Sequence, residues 1–182
     1  MIRWILLSSA LLAILSGSAR AQSDDSDLER RVKAAYLYKF AGYVEWPDSS
    51  FPDPTTPVRI AVLGDDKLRA ELATMVLGHT VNGRPVVVLG YTEEDSLEGV
   101  HVLYVGRQET SRLPKLKDEA RKRSVLLVSE GDDAIDQGSV IAFVLSRRRV
   151  RFDISMACAA KSGLTLSSRL LSVARTVVTA GS

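Results

Sequence analysis

Apolar and polar residues recur along the chain with two periods, one typical of helices and one typical of strands. Residues 32–43 carry apolar side chains at helical spacing, which predicts a first helix, and Pro47 is expected to end it. Beyond the proline-rich segment 47–57, short apolar runs typical of buried strands alternate with amphipathic helical stretches. The predicted strands are 58–63, 86–89, 100–105, 125–128 and 139–145, and the predicted helices are 67–77, 111–123 and 167–178.

The alternation predicts an α/β domain, and the pattern near its end predicts a hairpin. The strand 139–145 is apolar on both faces, as in a strand covered on both sides. In the next segment Val150, Phe152 and Ile154 alternate with polar residues, so one face is expected to be exposed. So short a connection between the two strands requires an antiparallel hairpin. We therefore expect a single domain over residues 31–180, with a mixed β-sheet flanked by helices.

The first residues have the pattern of a secretory signal. Arg3 precedes an apolar run of about a dozen residues, where a membrane-spanning helix needs about 20. Small residues at Ala19 and Ala21 suit the signal-peptidase pocket, so we expect residues 1–21 to be a cleaved signal peptide. The polar, acidic residues 22–30 are predicted to be a flexible leader. The chain is thus expected to be exported and soluble.

Charge and cysteine usage exclude several classes of protein. Arg3 and Arg20 lie in the predicted signal, and their removal leaves 22 basic residues against 22 acidic ones. A net charge of zero argues against a general binder of nucleic acid or anionic membranes. Cys158 is the only cysteine, so no internal disulfide can form, and its apolar neighbours predict a buried thiol.

Catalytic motifs are absent from the sequence. There is no GxSxG elbow, no HExxH motif, no P-loop and no glycine fingerprint for dinucleotides. His79 follows a predicted helix and His101 begins a predicted strand, and their spacing does not indicate a metal site. We therefore expect neither an enzyme nor a bound cofactor or metal. A hydrolase that uses Ser129 and His101 is the least favoured alternative.

A ligand pocket is one interpretation of the polar residues that follow two strands. Asp65 and Asp66 come after the strand 58–63, and Arg107 follows the strand 100–105. Open α/β sheets bind ligands beyond the carboxyl ends of their strands, so these three residues are candidates for a small-ligand pocket. The alternative is that one of the two acids caps the helix predicted from residue 67.

Two groups of residues are candidates for contact with a partner protein. Tyr36 and Tyr38 lie on different faces of the first helix, so the helix cannot bury all of its aromatic side chains. Three arginines at the hairpin turn are either a handle for an acidic partner or headgroups, or a solvated basic turn. The candidate partner-binding residues are Tyr38, Tyr43, Trp46, Arg147, Arg148 and Arg149.

Several separated motifs, in order, resemble the YfiR family (DUF4154) of exported bacterial proteins. The first is VKAAYLYKFAGYVEWP, and the resemblance extends in order through most of the chain. The segments that carry it are 32–47, 58–66, 81–88, 138–143, 150–154 and 163–171.

The resemblance implies a regulator and not an enzyme. It implies a periplasmic, homodimeric repressor that binds the periplasmic region of an inner-membrane diguanylate cyclase, or of another membrane sensor, and so controls cyclic di-GMP and biofilm formation. An outer-membrane lipoprotein is implied as the partner that releases the cyclase. Internal disulfides, which help to stabilise the repressor of this family, cannot form here because Cys158 stands alone. The alternative function is a periplasmic small-ligand-binding domain that feeds a sensor kinase or receptor.

Overall fold

The computed structural model describes residues 25–179. The predicted signal peptide 1–21 and the first residues of the predicted leader lie outside the described residues. Helix α1 comprises residues 25–43, so residues 25–30 of the predicted leader are helical. Ion pairs at helical spacing stabilise this first part of α1: Arg30 with Asp27 at 2.8 Å and Lys33 with Glu29 at 2.5 Å. Among residues 25–179, no helix has both the length and the apolar character that crossing a membrane requires.

Within residues 25–179, ten strands and four further helices follow α1. In chain order they are β1 (Val44–Glu45), β2 (Val58–Leu63), α2 (Asp66–Met75), β3 (Thr80–Val81), β4 (Arg84–Gly90), β5 (Val102–Val105), α3 (Leu113–Lys122), β6 (Leu126–Glu130), β7 (Ile141–Ser146), β8 (Arg149–Ser155), α4 (Met156–Lys161), β9 (Thr165–Leu166), α5 (Ser168–Val173) and β10 (Thr176–Val178). Two 3-10 turns, Asp48–Ser50 and Arg107–Arg112, lie between them.

Eight of the strands form one mixed sheet in the order β10-β8-β7-β6-β5-β2-β4-β3. Strands β4, β2, β5, β6 and β7 run parallel to one another, whereas β8 is antiparallel to β7, with Phe143 opposite Phe152. The mixed sheet and the antiparallel hairpin that the sequence predicts are confirmed. The turn between β3 and β4 has positive φ angles at Asn82 (50°) and Gly83 (79°), as an Asn-Gly pair predicts.

The two faces of the sheet are covered unequally. Helices α1 and α2 cover one face, where Leu37, Phe40 and Leu72 are buried against the sheet. Aromatic rings dominate this layer, since Phe40 packs at 4.9 Å from Phe152 and at 5.7 Å from Phe143. Helix α3 and adjoining loops cover the centre of the other face. Cys158 is buried, as its apolar neighbours predict, and it belongs to the core on the side of α1 and α2.

The end of the chain differs from the prediction of one helix over 167–178. Helix α5 is short: the Ser167 side chain caps its start, and the backbone at Ala174 is already extended. The β-branched residues of β10 then pair in parallel with β8, and the Arg175 N–H donates to the Phe152 carbonyl at 2.8 Å. The prediction was wrong here because the edge of β8 offers unpaired backbone groups, which an isolated helical pattern does not reveal.

The first helix ends earlier than predicted. Its last residue is 43 and not one next to Pro47, because β1 (Val44–Glu45) pairs with β9 (Thr165–Leu166) in a separate two-stranded sheet. Helix α4, capped by the Ser155 side chain, and strand β9 were both missed by the periodicity. Strand β3 was also missed, because residues 81–85 were interpreted as a turn. The remaining strands and helices differ from their predicted bounds by a few residues, because the ends of helices and strands fray.

A buried ionic cluster fixes α1 to the carboxyl edge of the sheet. The Lys33 Nζ lies 2.8 Å from Glu130 Oε2, and these two side chains are only 9% and 4% exposed. The Tyr104 hydroxyl donates to Glu130 Oε1, and Arg107 Nη2 lies 3.3 Å from Glu130 Oε2. Burial and the neighbouring carboxylate raise the pKa of Tyr104 well above its ordinary value, so the phenol keeps its proton as a donor.

Loss of one member of this cluster should destabilise the fold. We predict that Glu130→Gln lowers the free energy of unfolding by about 3 kcal/mol, because Lys33 then stays buried without this carboxylate. Denaturant unfolding measures the change. The control is Asp66→Asn, which removes an exposed ion pair with Arg69 and should cost less than about 1 kcal/mol. The double variant Lys33→Met/Glu130→Gln should lose less than the two single losses combined, and strict additivity would contradict the pairing.

Candidate functional site

The strand order places a switch point between β2 and β5, where open α/β sheets bind ligands. The predicted pocket residues lie at this edge, and each is engaged within the chain. The Asp65 side chain accepts a hydrogen bond from the Leu68 N–H at 2.9 Å, so it caps α2, which is the alternative interpretation of the acidic pair. Asp66 is exposed and pairs with Arg69 at 3.0 Å, while Arg107 contacts Glu130.

The crevice itself is filled by the chain's own atoms. Gly64 has a φ of 76°, and a Cβ at this position would lie 2.3 Å from Glu109 Cγ, so the Glu109 side chain lies directly over the strand end. The Gly106 N–H donates to the Leu63 carbonyl at 2.8 Å, which joins the two strand ends. Within residues 25–179, Asp65, Asp66 and Arg107 form no hydrogen bond or ion pair with one another.

His101 lies at the opposite, amino-terminal edge of the sheet and is 1% exposed. Its Nδ1 accepts a hydrogen bond from the Arg59 main-chain N–H at 3.2 Å, and its Nε2 lies 3.0 Å from the Ser50 carbonyl oxygen. Because an N–H only donates and a carbonyl only accepts, the ring is the neutral Nε2–H tautomer. Burial lowers the pKa of His101, and the nearby positive charges of Arg59 and Arg84 lower it further.

This histidine connects the proline-rich loop 47–57 to the sheet. The Phe51 ring stacks on the His101 ring, with 4.3 Å between the ring centroids. The Arg84 guanidinium lies over the Phe51 ring, 4.2 Å from its centroid. Arg84 also donates to three main-chain carbonyls of the loop at 2.8–3.0 Å. The role of His101 is therefore to position a loop.

The geometry does not assemble the catalytic or metal-binding alternatives. Ser129 is fully buried near the carboxyl end of β6, where its hydroxyl lies 2.6 Å from that of Ser139, whereas His101 lies at the amino edge. His79 is exposed, with its ring 6.0 Å from the Tyr38 ring. In the part of the chain that the structure describes, no three His, Cys, Asp or Glu residues are grouped to hold a metal ion.

The aromatic candidates for partner binding are half-buried and not freely exposed. Tyr38 donates its hydroxyl hydrogen bond to the Thr80 carbonyl at 3.0 Å, and Tyr43 packs against the main core. Trp46 packs edge-to-face on Phe51 at 6.2 Å, and its indole Nε1 is buried without a hydrogen-bond partner among the described residues.

The arginine candidates lie at the hairpin turn between β7 and β8, as predicted. Arg147 and Arg148 have positive φ angles of 49° and 61°, positions that Asn and Gly favour in two-residue hairpin turns. Arg148 pairs with Asp25 at the start of α1, whereas Arg149 is exposed, forms no ion pair among the described residues and also lines the cavity beside the Arg148–Asp25 pair. Sequence reasoning missed Arg151 and Arg175, which the fold places beside Arg149 around one groove. Strand alternation would have identified Arg151, but Arg175 was predicted to be helical.

Comparison with known proteins finds a matching family model and two solved structures with some similarity. The family model DUF4154, described as YfiR/HmsC-like, matches residues 30–175, which confirms the resemblance in the sequence. The crystal structure of a conserved domain protein from Vibrio cholerae O1 biovar eltor str. N16961 has a TM-score of 0.50 at 11% identity, covering 71% of this chain and 57% of its own. An ABC domain from Streptococcus pneumonia in complex with L-Trp gives 0.48 at 11% identity, covering 66% and 55%. The chain thus spans little more than half of each, and the first likeness supports the α/β fold alone.

The neutral His101 should make stability depend on pH. Its pKa is lowered in the folded state, so below the ordinary value near 6.5 the unfolded chain binds a proton that the folded chain resists. We predict that the free energy of unfolding falls as pH decreases from 7 to 5, by at most about 1.4 kcal/mol per pH unit from this residue. Denaturant unfolding at several pH values measures the slope.

Two histidine variants separate this effect from other titrations. His101→Gln should remove most of the slope between pH 7 and 5, whereas the exposed His79→Gln should retain it. A slope that survives in His101→Gln would show that other groups cause it. The carboxyls of Asp53 and Asp95 have pKa values lowered by hydrogen bonds from threonines, so they titrate below this window.

Proposed function

Because the chain belongs to the YfiR/HmsC-like family, we propose that it restrains an inner-membrane diguanylate cyclase, or a similar membrane signalling protein, by binding its periplasmic region. The family consists of periplasmic, non-catalytic regulators of cyclic di-GMP signalling. Homodimer formation and release by an outer-membrane lipoprotein are parts of the same proposal.

The extent of the family match is the observation that carries the proposal. The match covers residues 30–175, from the helix that covers the first sheet face to the residue before β10. It therefore includes the whole arrangement that positions α1 on the sheet, and not a single motif that unrelated folds share.

The internal contacts at the carboxyl edge favour a protein-binding regulator over a small-ligand receptor. Glu109 fills the position where a ligand would approach Gly64, and the Asp65 side chain is occupied as a helix cap. Around them, the cluster of Lys33, Tyr104 and Glu130 holds the edge closed with buried, mutually satisfied groups. A rigid domain of this kind is suited to recognising a surface on another protein.

Restraint of a membrane enzyme requires different affinities for its two states. A regulator that binds the inactive conformation shifts the population toward it by no more than the ratio of the two affinities. To hold an evenly balanced switch at about one active molecule in a hundred, this chain must bind the inactive state about 100-fold more tightly. Such a ratio is within reach of a modest interface with a few well-packed contacts.

Deletion of the gene tests the proposal in the cell. We expect intracellular cyclic di-GMP to rise several-fold, because the cyclase loses its restraint, and biofilm formation to increase with it. Mass spectrometry of nucleotide extracts measures the change. Expression of the full chain should restore the original level, whereas the same chain without residues 1–21 should not, because it stays in the cytoplasm.

Two outcomes would overturn this account. An unchanged cyclic di-GMP level in the deletion strain would remove the cyclase as the target. Equal restoration by the full chain and the version without residues 1–21 would contradict action from the periplasm.

A further inference from the structure

Among residues 25–179, no helix covers one face of the sheet at strands β7 and β8. On β8, Arg149 and Arg151 alternate with buried residues and lie opposite Ser146 and Val144 of β7. In the same alternation Ala142 belongs to the core under α3, so the two arginines project on the α3 side of the sheet. Helix α3 packs near the centre of this face, and the arginine side chains beyond it are exposed.

These arginines line an open groove of about 530 Å³. The lining residues are Ser146, Arg147, Arg149, Arg151 and Arg175, so four of the five carry a positive charge. Arg175 is held in place by Asp153, to which its Nε donates at 2.8 Å and its Nη2 donates a second bond. Hydrogen bonding to Asp153 raises the pKa of Arg175. We call the surface formed by the five lining residues the arginine groove.

Within residues 25–179, three arginines of the groove are unpaired, whereas most of the other arginines in this range have an ion pair or a hydrogen bond. Arginines elsewhere, such as Arg69, Arg112 and Arg123, form ion pairs with nearby carboxylates. In contrast, Arg147, Arg149 and Arg151 have no ion pair or hydrogen bond to any other residue in the range 25–179. Like charges gathered on one surface repel one another, and an anion that enters the groove removes this repulsion.

We infer that the arginine groove binds an acidic segment of the regulated partner protein, an inference that rests on the proposed function. Arg149 and Arg151 are two residues apart on one strand face, a separation of about 7 Å. An extended segment with Asp or Glu at every second position presents carboxylates at the same interval. Guanidinium groups bind carboxylates through paired hydrogen bonds, and Arg148 at the same turn already pairs with the carboxylate of Asp25.

The charge distribution favours a protein segment over a membrane surface. Binding to anionic lipid needs an excess of basic residues spread over a broad surface. The described residues of the groove form instead a local cluster on a chain whose basic and acidic residues nearly balance. A groove admits a single extended segment, whereas lipid headgroups lie in a plane.

Fluorescence anisotropy tests the inference with a defined probe. We use a labelled eight-residue peptide of alternating Glu and Thr, and expect the chain to bind it more weakly as salt increases. The variant Arg149→Gln/Arg151→Gln should bind it at least 10-fold more weakly. The control Arg169→Gln removes one other unpaired arginine, which lines a different cavity beside Tyr43, and should bind as the original chain does. Thermal unfolding of each variant verifies folding.

Three results of the binding assay would overturn the inference. These are no binding of the peptide by the original chain, equal weakening by Arg169→Gln, or preference of the groove for vesicles. The last is measured with phosphatidylglycerol vesicles: binding to them that is lost in Arg149→Gln/Arg151→Gln, while peptide binding persists, would assign the groove to lipid.

Complementation of the deletion strain separates this inference from the proposed function. If the full chain restores cyclic di-GMP and Arg149→Gln/Arg151→Gln at equal protein level does not, the groove acts in regulation. Full restoration by that variant would overturn the groove while leaving the regulator intact. If deletion itself changes nothing, the proposed function fails, and peptide binding alone decides whether the groove recognises acidic segments.

Discussion

The buried pair of Lys33 and Glu130 is the contact on which the arrangement of this protein depends. It joins the first helix to the far end of β6, 97 residues later in the chain, in a place where neither charge is exposed to water. Taking two charges out of water is costly, and that cost is offset only when further bonds satisfy them. Tyr104 and Arg107 on one side and Glu29 on the other supply those bonds. The direction and register of α1 are consequently fixed along with the aromatic layer beneath it.

The contacts around Lys33 and Glu130 lie at the carboxyl edge of the sheet, and this position bears on function. The edge where α/β sheets commonly hold small molecules is used here to hold the fold together, with Glu109 over Gly64 and Asp65 occupied as a cap. Unpaired charge lies instead on the far strands, where α3 leaves the sheet uncovered. The described residues therefore form a closed region at the ends of β2, β5 and β6, which provides rigidity, and an exposed basic surface on β7 and β8, which is the surface we propose for a partner protein. That division suits a regulator that recognises a surface.

Local patterns predicted those parts of the fold that local forces determine. Strands β2, β6 and β7 consist mainly of apolar residues, and the alternation in β8 predicted its exposed face and the hairpin with β7. The segment of β10 was predicted to be helical from its periodicity. Its pairing with β8, which is distant in the sequence, overrides that periodicity in the structure. In the arginine groove, the turn arginines were identified from the sequence, because they are neighbours in the chain. Arg175 joins them only through the position of β10. The ionic cluster around Glu130 has no signature in the sequence, since its members come from separate elements.

The central claim is that this chain restrains a membrane cyclase from its periplasmic side. The most direct measurement adds the purified exported chain to spheroplasts of the deletion strain and follows their cyclic di-GMP content over time. The account predicts a dose-dependent fall when the outer face of the inner membrane is exposed, and no effect on inverted membrane vesicles, whose outer face is sealed inside. An unchanged level in spheroplasts, or inhibition only in inverted vesicles, would contradict the claim.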